Sequence, residues 1–266
     1  MMTRRGSRVG CIRRVGDSSI AKIVPNSLTV LGLCSGATAI YFALGGDWKN
    51  AVCATFVAML FDVLDGQTAR VLGVDSLFGA QLDSLGDVVS FGVAPALLIY
   101  QWSLSQIGTG GWIAAVIFCA SSAVRLARFN AESAWDEAAS PQTYFTGLPT
   151  PAATGILLLP LLLTFEFDWQ GFRNPVFCTA VVALTSGLMV SRIPTPSLKC
   201  LLSDPQMQMI AVVVTALLVL AGIYIPWATL ITGWLIYVGA LPFAAHALLK
   251  HDRLGRGAPL LRTSQD

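Results

Sequence analysis

Charge is scarce in this sequence. Of 266 residues only 12% are Asp, Glu, Lys or Arg, about half the share of a soluble domain. Histidine is scarcer: His246 and His251 are the only two. Both fall near the end of the last apolar block, where interface anchoring suits them better than catalysis. The six cysteines, at 11, 34, 53, 119, 178 and 200, never form C-x-x-C. Without that spacing, packing residues are the better reading for them. The net charge is only +2, and no nucleic-acid partner is expected. A separate signal peptide is not expected either, because the first ~20 residues are polar and basic and no short apolar core comes after them.

Apolar residues are abundant instead. They make up 55% of the chain, with a mean hydropathy of +0.67, and they come in blocks. Candidate spans lie near 28–46, 51–70, 83–104, 111–128, 150–166, 175–191, 207–223 and 226–248. Each approaches the ~20 residues that cross ~30 Å of hydrocarbon. Backbone amides in lipid must be satisfied internally, so blocks joined in this way are helices. The expected fold is all-α, a polytopic membrane bundle of about eight helices (six if blocks merge), with both termini cytoplasmic. In that topology 15 of 17 basic residues lie on the cytoplasmic side, and only Lys49 and Arg173 lie outside. Three regions are expected: a basic arm over 1–24, a membrane domain over 25–249 and a polar tail over 250–266. Pro25-Asn26-Ser27 reads as the start of the first helix, with Asn or Ser as its cap.

Within this apolar background stand four acids, Asp62, Asp65, Asp83 and Asp87, in 26 residues. Ionised groups at membrane depth are costly and mark binding or transport sites. Asp62, Asp65 and Ala69 share one helix face at i, i+3 and i+7. Gly79, Asp83 and Asp87 share a face of the next helix, and the short turn Gly73-Val74-Asp75-Ser76 makes the two helices neighbours. Four carboxylates meeting at one place repel strongly at low dielectric, and divalent cations relieve this. An all-oxygen donor set suits Mg²⁺ or Mn²⁺ over Zn²⁺. Two ions about 3.5–4 Å apart would fit phosphoryl transfer. Gly66, Ala69 and Gly79 leave room for a ligand to approach the backbone, and Arg70 offers a fork of donors to a diphosphate.

The run Asp62-x-x-Asp65-Gly66-x-x-Ala69-Arg70, eight residues, then Gly79-x-x-x-Asp83-x-x-x-Asp87 resembles the signature of the CDP-alcohol phosphotransferases at every position. The resemblance implies that Asp62, Asp65, Asp83 and Asp87 hold two divalent cations, Mg²⁺ or Mn²⁺. It implies that Asp87 is also the general base. It further implies that Asn26, Thr29, Gly66, Ala69, Arg70, Ser76 and Gly79 contact the CDP moiety.

Three further stretches resemble the phosphatidylserine synthase branch of that family: Phe78 to Pro95, Arg125-Leu126-Ala127-Arg128-Phe129-Asn130, and Tyr144 to Pro151. The implied reaction joins CDP-diacylglycerol and L-serine, giving phosphatidylserine and CMP at the cytoplasmic face of the cell (inner) membrane. Serine brings a carboxylate, which suits Arg125 and Arg128 at i, i+3, with Asn130 and Thr146 beside them. The same arginines would also serve as positive-inside anchors. Membrane lipid is the surrounding partner, and a homodimer is compatible with the sequence. Two alternatives stay open. One is the same chemistry with glycerol 3-phosphate or an inositol phosphate as acceptor, which would ask for a denser basic pocket. The other is an ion-coupled transporter, which would scatter its acids over several helices.

Overall fold

The computed structural model describes residues 19–74, 76–135, 144–191, 194–196, 224–236 and 239. Eight α-helices organise them: α1 (Ser19–Leu44), α2 (Trp48–Leu72), α3 (Leu77–Asp87), α4 (Ala94–Trp102), α5 (Thr109–Trp135), α6 (Thr150–Phe167), α7 (Pro175–Val190) and α8 (Pro226–Ile236). A π turn over Val88–Val93 joins α3 to α4 without a break, so these two form one span, Leu77–Trp102. Five helical stretches among the described residues are long and apolar enough to cross a membrane, and α7 and α8 are shorter apolar helices. The span expected at 207–223 lies outside the described residues.

Turn chemistry sets the helix limits. Asp47 caps α2 by accepting from Asn50 N–H at 3.3 Å. Gly73 ends α2 in the left-handed region, at φ 62°, where a side chain would be strained. Ser76 opens α3 by accepting from Gly79 N–H at 3.0 Å. Asn174 caps α7 through Val176 N–H at 2.9 Å, with Pro175 in the first helical position.

The start expected at Pro25-Asn26 needs correction. α1 already runs through Ser19, and Pro25 lies inside it. Proline removes a single i→i−4 bond there. Ile23 and Val24 just before it are 58% and 47% exposed, so the helix continues as an outward apolar face. The helix therefore crosses the boundary expected between arm and membrane domain. α5 likewise continues past Arg128 to Trp135. A short antiparallel ladder, β1 (Tyr144–Thr146) against β2 (Pro194–Pro196), is an addition that no sequence pattern announced.

The centre of the bundle is α6. Leu157, Leu158, Leu161 and Leu162 are fully buried there, packed with Leu98 and Ile99 of α4, Phe118 of α5 and Met189 of α7. A helix that is apolar all round belongs inside. α1 runs along α2 and also touches α3 and α4. Leu60, Val71, Leu85 and Val116 point outward. Such faces in a soluble protein would be a liability, and here they meet lipid. α8 closes on α6, where a Cβ on Gly155 would collide with the Trp234 ring.

Candidate active site

α2 and α3 bring the acids together as their spacing requires. Asp62, Asp65, Asp83 and Asp87 line one small cavity of about 10 Å³ between α1, α2 and α3, together with Thr29, Gly32, Ala58, Gly86, Ser90 and Phe91. Carboxylate oxygens of Asp62, Asp83 and Asp87 all lie within 4.8 Å of one another. Asp65 stands outside that mutual set, although it faces the same space. It is only 5% exposed, and its Oδ2 is buried without a hydrogen-bond partner among the described residues.

Three carboxylates this close repel unless a cation lies among them, and an unpartnered buried carboxylate oxygen is costly. Both observations fit a divalent cation with oxygen ligands. Asp62, Asp83 and Asp87 would hold it, with Asp65 Oδ2 free to join.

A second cavity of about 170 Å³ adjoins the first. Thr29, Asp65 and Asp83 line both, and the second is completed by Pro25, Asn26, Gly66, Ala69, Val74, Ser76, Gly79 and Ala80. Of the seven residues expected to contact CDP, Asn26, Thr29, Gly66, Ala69, Ser76 and Gly79 are thus brought together. Gly79 is needed for its lack of a side chain, since a Cβ there would meet Asn26 Oδ1 and Ser76 Oγ, each at 2.9 Å. Arg70, the seventh, is not among the residues lining either cavity. Its Nε donates to Gly66 O at 2.8 Å, which folds the guanidinium back over its own helix.

The residues expected to hold serine take other partners. Arg125 Nη1 donates to Thr150 Oγ1 at 2.9 Å. Arg128 Nη1 donates to Val190 O at 3.0 Å, joining α5 to the end of α7. Asn130 Nδ2 donates to Ser84 Oγ at 2.9 Å, beside Asp83. None of the three lines either acid cavity. Thr146 is in β1, opposite Pro194.

Sequence reasoning passed over Ala58, Gly86 and Ser90. Helical periodicity held the signal: Ala58 precedes Asp62 by four residues, and Ser90 comes three after Asp87. Phe91, four residues after Asp87, and Gly32, three after Thr29, carried the same spacing.

The chain is similar in sequence to several known proteins. A CDP-diacylglycerol–serine O-phosphatidyltransferase of Mycobacterium leprae (strain TN) is 35% identical over 228 residues, 85% of this chain and 75% of that protein. Its counterpart in Methanocaldococcus jannaschii is 42% identical over 181 residues, 67% of this chain and 77% of that protein. The one in Bacillus subtilis (strain 168) is 33% identical over 176 residues, 66% of this chain and 91% of that protein. The crystal structure of Mycobacterium tuberculosis phosphatidylinositol phosphate synthase with CDP-DAG bound is 24% identical and aligns at a TM-score of 0.48, over 64% of this chain and 86% of that one. The sequence model of the CDP-alcohol phosphatidyltransferases matches residues 22–240, from the first span to beyond α8. With that match spanning the acids, both cavities and most of the bundle, this chain belongs to the CDP-alcohol phosphatidyltransferase family.

Proposed function

We propose that this protein transfers the phosphatidyl group of CDP-diacylglycerol to the hydroxyl of L-serine, giving phosphatidylserine and CMP. The observation that carries the chemistry is the meeting of Asp62, Asp83 and Asp87 within 4.8 Å beside a cavity of about 170 Å³. The acceptor is supported by the relatives, all three named as serine enzymes at 33–42% identity.

The cytidine end occupies the larger cavity, against Asn26, Thr29, Gly66, Ala69, Ser76 and Gly79, and the acyl chains run out among the helices. Arg70 swings from Gly66 O to the diphosphate. Asp62, Asp65, Asp83 and Asp87 would hold two divalent cations, Mg²⁺ or Mn²⁺. When bound, these neutralise the diphosphate and the charge that develops during transfer. Asp87 takes the proton from the serine hydroxyl, whose oxygen attacks the phosphorus carrying the lipid. The P–O bond to CMP breaks, and CMP leaves toward Arg70. Arg125, Arg128, Asn130 and Thr146 form the serine side of the site, Arg125 releasing Thr150 for the serine carboxylate. The site opens to the cytoplasm, on the side that carries 15 of 17 basic residues.

The test is CMP release by the purified protein in detergent with CDP-diacylglycerol and Mn²⁺ or Mg²⁺. Serine, glycerol 3-phosphate and an inositol phosphate are offered separately. CMP with serine alone is the expected result. CMP with another acceptor overturns the serine assignment and keeps the acids, whereas folded protein that releases none overturns the transfer reading.

A further inference from the structure

Directly after Asp87 the third span changes its winding. Over Val88–Val93 the helix widens, and Ala94 N–H reaches back five residues to Val89 O. One extra residue in a turn rotates the helix beyond it by about 100° relative to the helix before it. The π turn therefore sets the rotational phase of acid-bearing α3 against buried α4. Wide turns of this kind are rare, appear mostly as single turns inside α-helices and are frequent at functional sites, so one that persists here calls for support from its surroundings.

That support comes from three neighbouring helices. On α1, Gly32 O accepts from Ser90 Oγ at 3.3 Å, and Gly36 has no room for a Cβ against Ser90. On α5, Ser122 lies close enough that a Cβ on Gly92 would meet its Oγ at 3.0 Å. On α6, Thr154 Oγ1 donates to Phe91 O at 2.8 Å. Ser90 and Phe91 are themselves walls of the acid cavity.

Thr154 differs from four of the other five buried threonines among the described residues; the fifth, Thr150, opens α6 and accepts from Arg125 Nη1. Thr29, Thr55, Thr164 and Thr185 each donate to the carbonyl four residues back in their own helix. That is the ordinary outcome for a threonine in an apolar helix. Thr154, at 0% exposure, instead reaches another element 63 residues away in sequence.

We infer that Thr154 is a positioning residue for phosphatidyl transfer: its bond to Phe91 O holds the π turn, and the turn fixes how Asp87 faces Asp62 and Asp83. This inference rests on the transfer reading above. Thr154→Val removes the donor and keeps the shape, whereas Thr154→Ser keeps the donor and loses a methyl group. At saturating Mn²⁺ and in detergent, Thr154→Val lowers kcat for serine-dependent CMP release at least tenfold. The KM values for serine and CDP-diacylglycerol move less than twofold. Thr154→Ser keeps at least half of the wild-type kcat. Without substrate, Mn²⁺ affinity read from the free-ion paramagnetic resonance signal falls at least threefold in Thr154→Val and returns in Thr154→Ser. Thr185→Val, equally buried but bonded within its own helix, keeps kcat. Wild-type kcat in Thr154→Val overturns the inference. So does an equal fall in Thr154→Val and Thr154→Ser, which would make methyl packing the cause, or an equal fall in Thr154→Val and Thr185→Val. Wild-type protein that releases no CMP with any acceptor brings down the transfer reading itself, and the inference with it.

Discussion

Asn130 on α5 and Ser84 on α3 are tied side chain to side chain, Asn130 Nδ2 donating to Ser84 Oγ at 2.9 Å. Ser84 is next in the chain after Asp83 and donates in turn to Ala80 O at 2.9 Å. The tie couples the helix carrying Arg125 and Arg128 to the helix carrying two of the acids. If the pair acts as a unit, Asn130→Ala and Ser84→Ala each lower kcat/KM for serine by about tenfold, the scale of one lost hydrogen bond. The double variant then loses little more than either single one, with a coupling of about 0.5–3 kcal/mol. A double-mutant cycle on serine-dependent CMP release checks this, and additive losses would refute the coupling.

Asp87 carries two roles in the proposed reaction, ligand and base. Asp87→Asn keeps the shape and removes the basic oxygen. Turnover should fall by about 10²–10⁴, the range for loss of a general base, while CDP-diacylglycerol still binds. Equilibrium binding of the CDP-lipid alongside single-turnover CMP release separates the two. Near-normal turnover in this variant would remove Asp87 from the base role.

Removing divalent cations should cost stability as well as activity. Three carboxylates with oxygens within 4.8 Å repel once the cation between them is gone, and a ligand bound only to the folded state stabilises it by mass action. Chelation with EDTA is expected to abolish CMP release and lower the Tm of the detergent-solubilised protein. Mg²⁺ or Mn²⁺ restores both. A Tm unmoved by chelation and readdition would argue against a cation among these acids.

Gly79 offers a test confined to the nucleotide side. A methyl group there meets Asn26 Oδ1 and Ser76 Oγ at 2.9 Å each, closer than the pair can accept without shifting. Gly79→Ala should raise KM for CDP-diacylglycerol by about tenfold, on the order of the 1–3 kcal/mol that overpacking costs, with KM for serine within twofold. Steady-state kinetics with each substrate varied in turn decide this. Equal changes in both constants would mean that the whole site had moved.

The acid cluster could be read from the sequence because helical spacing is rigid. Asp62 and Asp65, like Asp83 and Asp87, had to share faces, and a turn of four residues had to make the helices adjacent. The larger cavity came from the same logic through Gly66, Ala69 and Gly79. Other features left no periodic trace. Pro25 looked like a helix start because proline so often is one, yet α1 runs through it from Ser19, with apolar Ile23 and Val24 just ahead. Nothing in Val88-Val89-Ser90-Phe91-Gly92-Val93 announces a wide turn, which depends on groups brought from α1, α5 and α6. The partners of Arg125, Arg128 and Asn130 depend on the packing of α3, α6 and α7 against α5, and helix–helix register is not written in spacing along one helix.

The turn between Gly73 and Ser76 also bears on how the site is made. All four acids lie within 26 residues, so their assembly requires only the closing of one hairpin, a contact of low sequence separation. Closing that hairpin needs no part of α6, whereas the proposed setting of Asp87 against Asp62 and Asp83 waits for Thr154 of α6. In a hairpin closed ahead of α6, four acidic groups would share a small space, and a divalent cation captured at that stage would offset their repulsion.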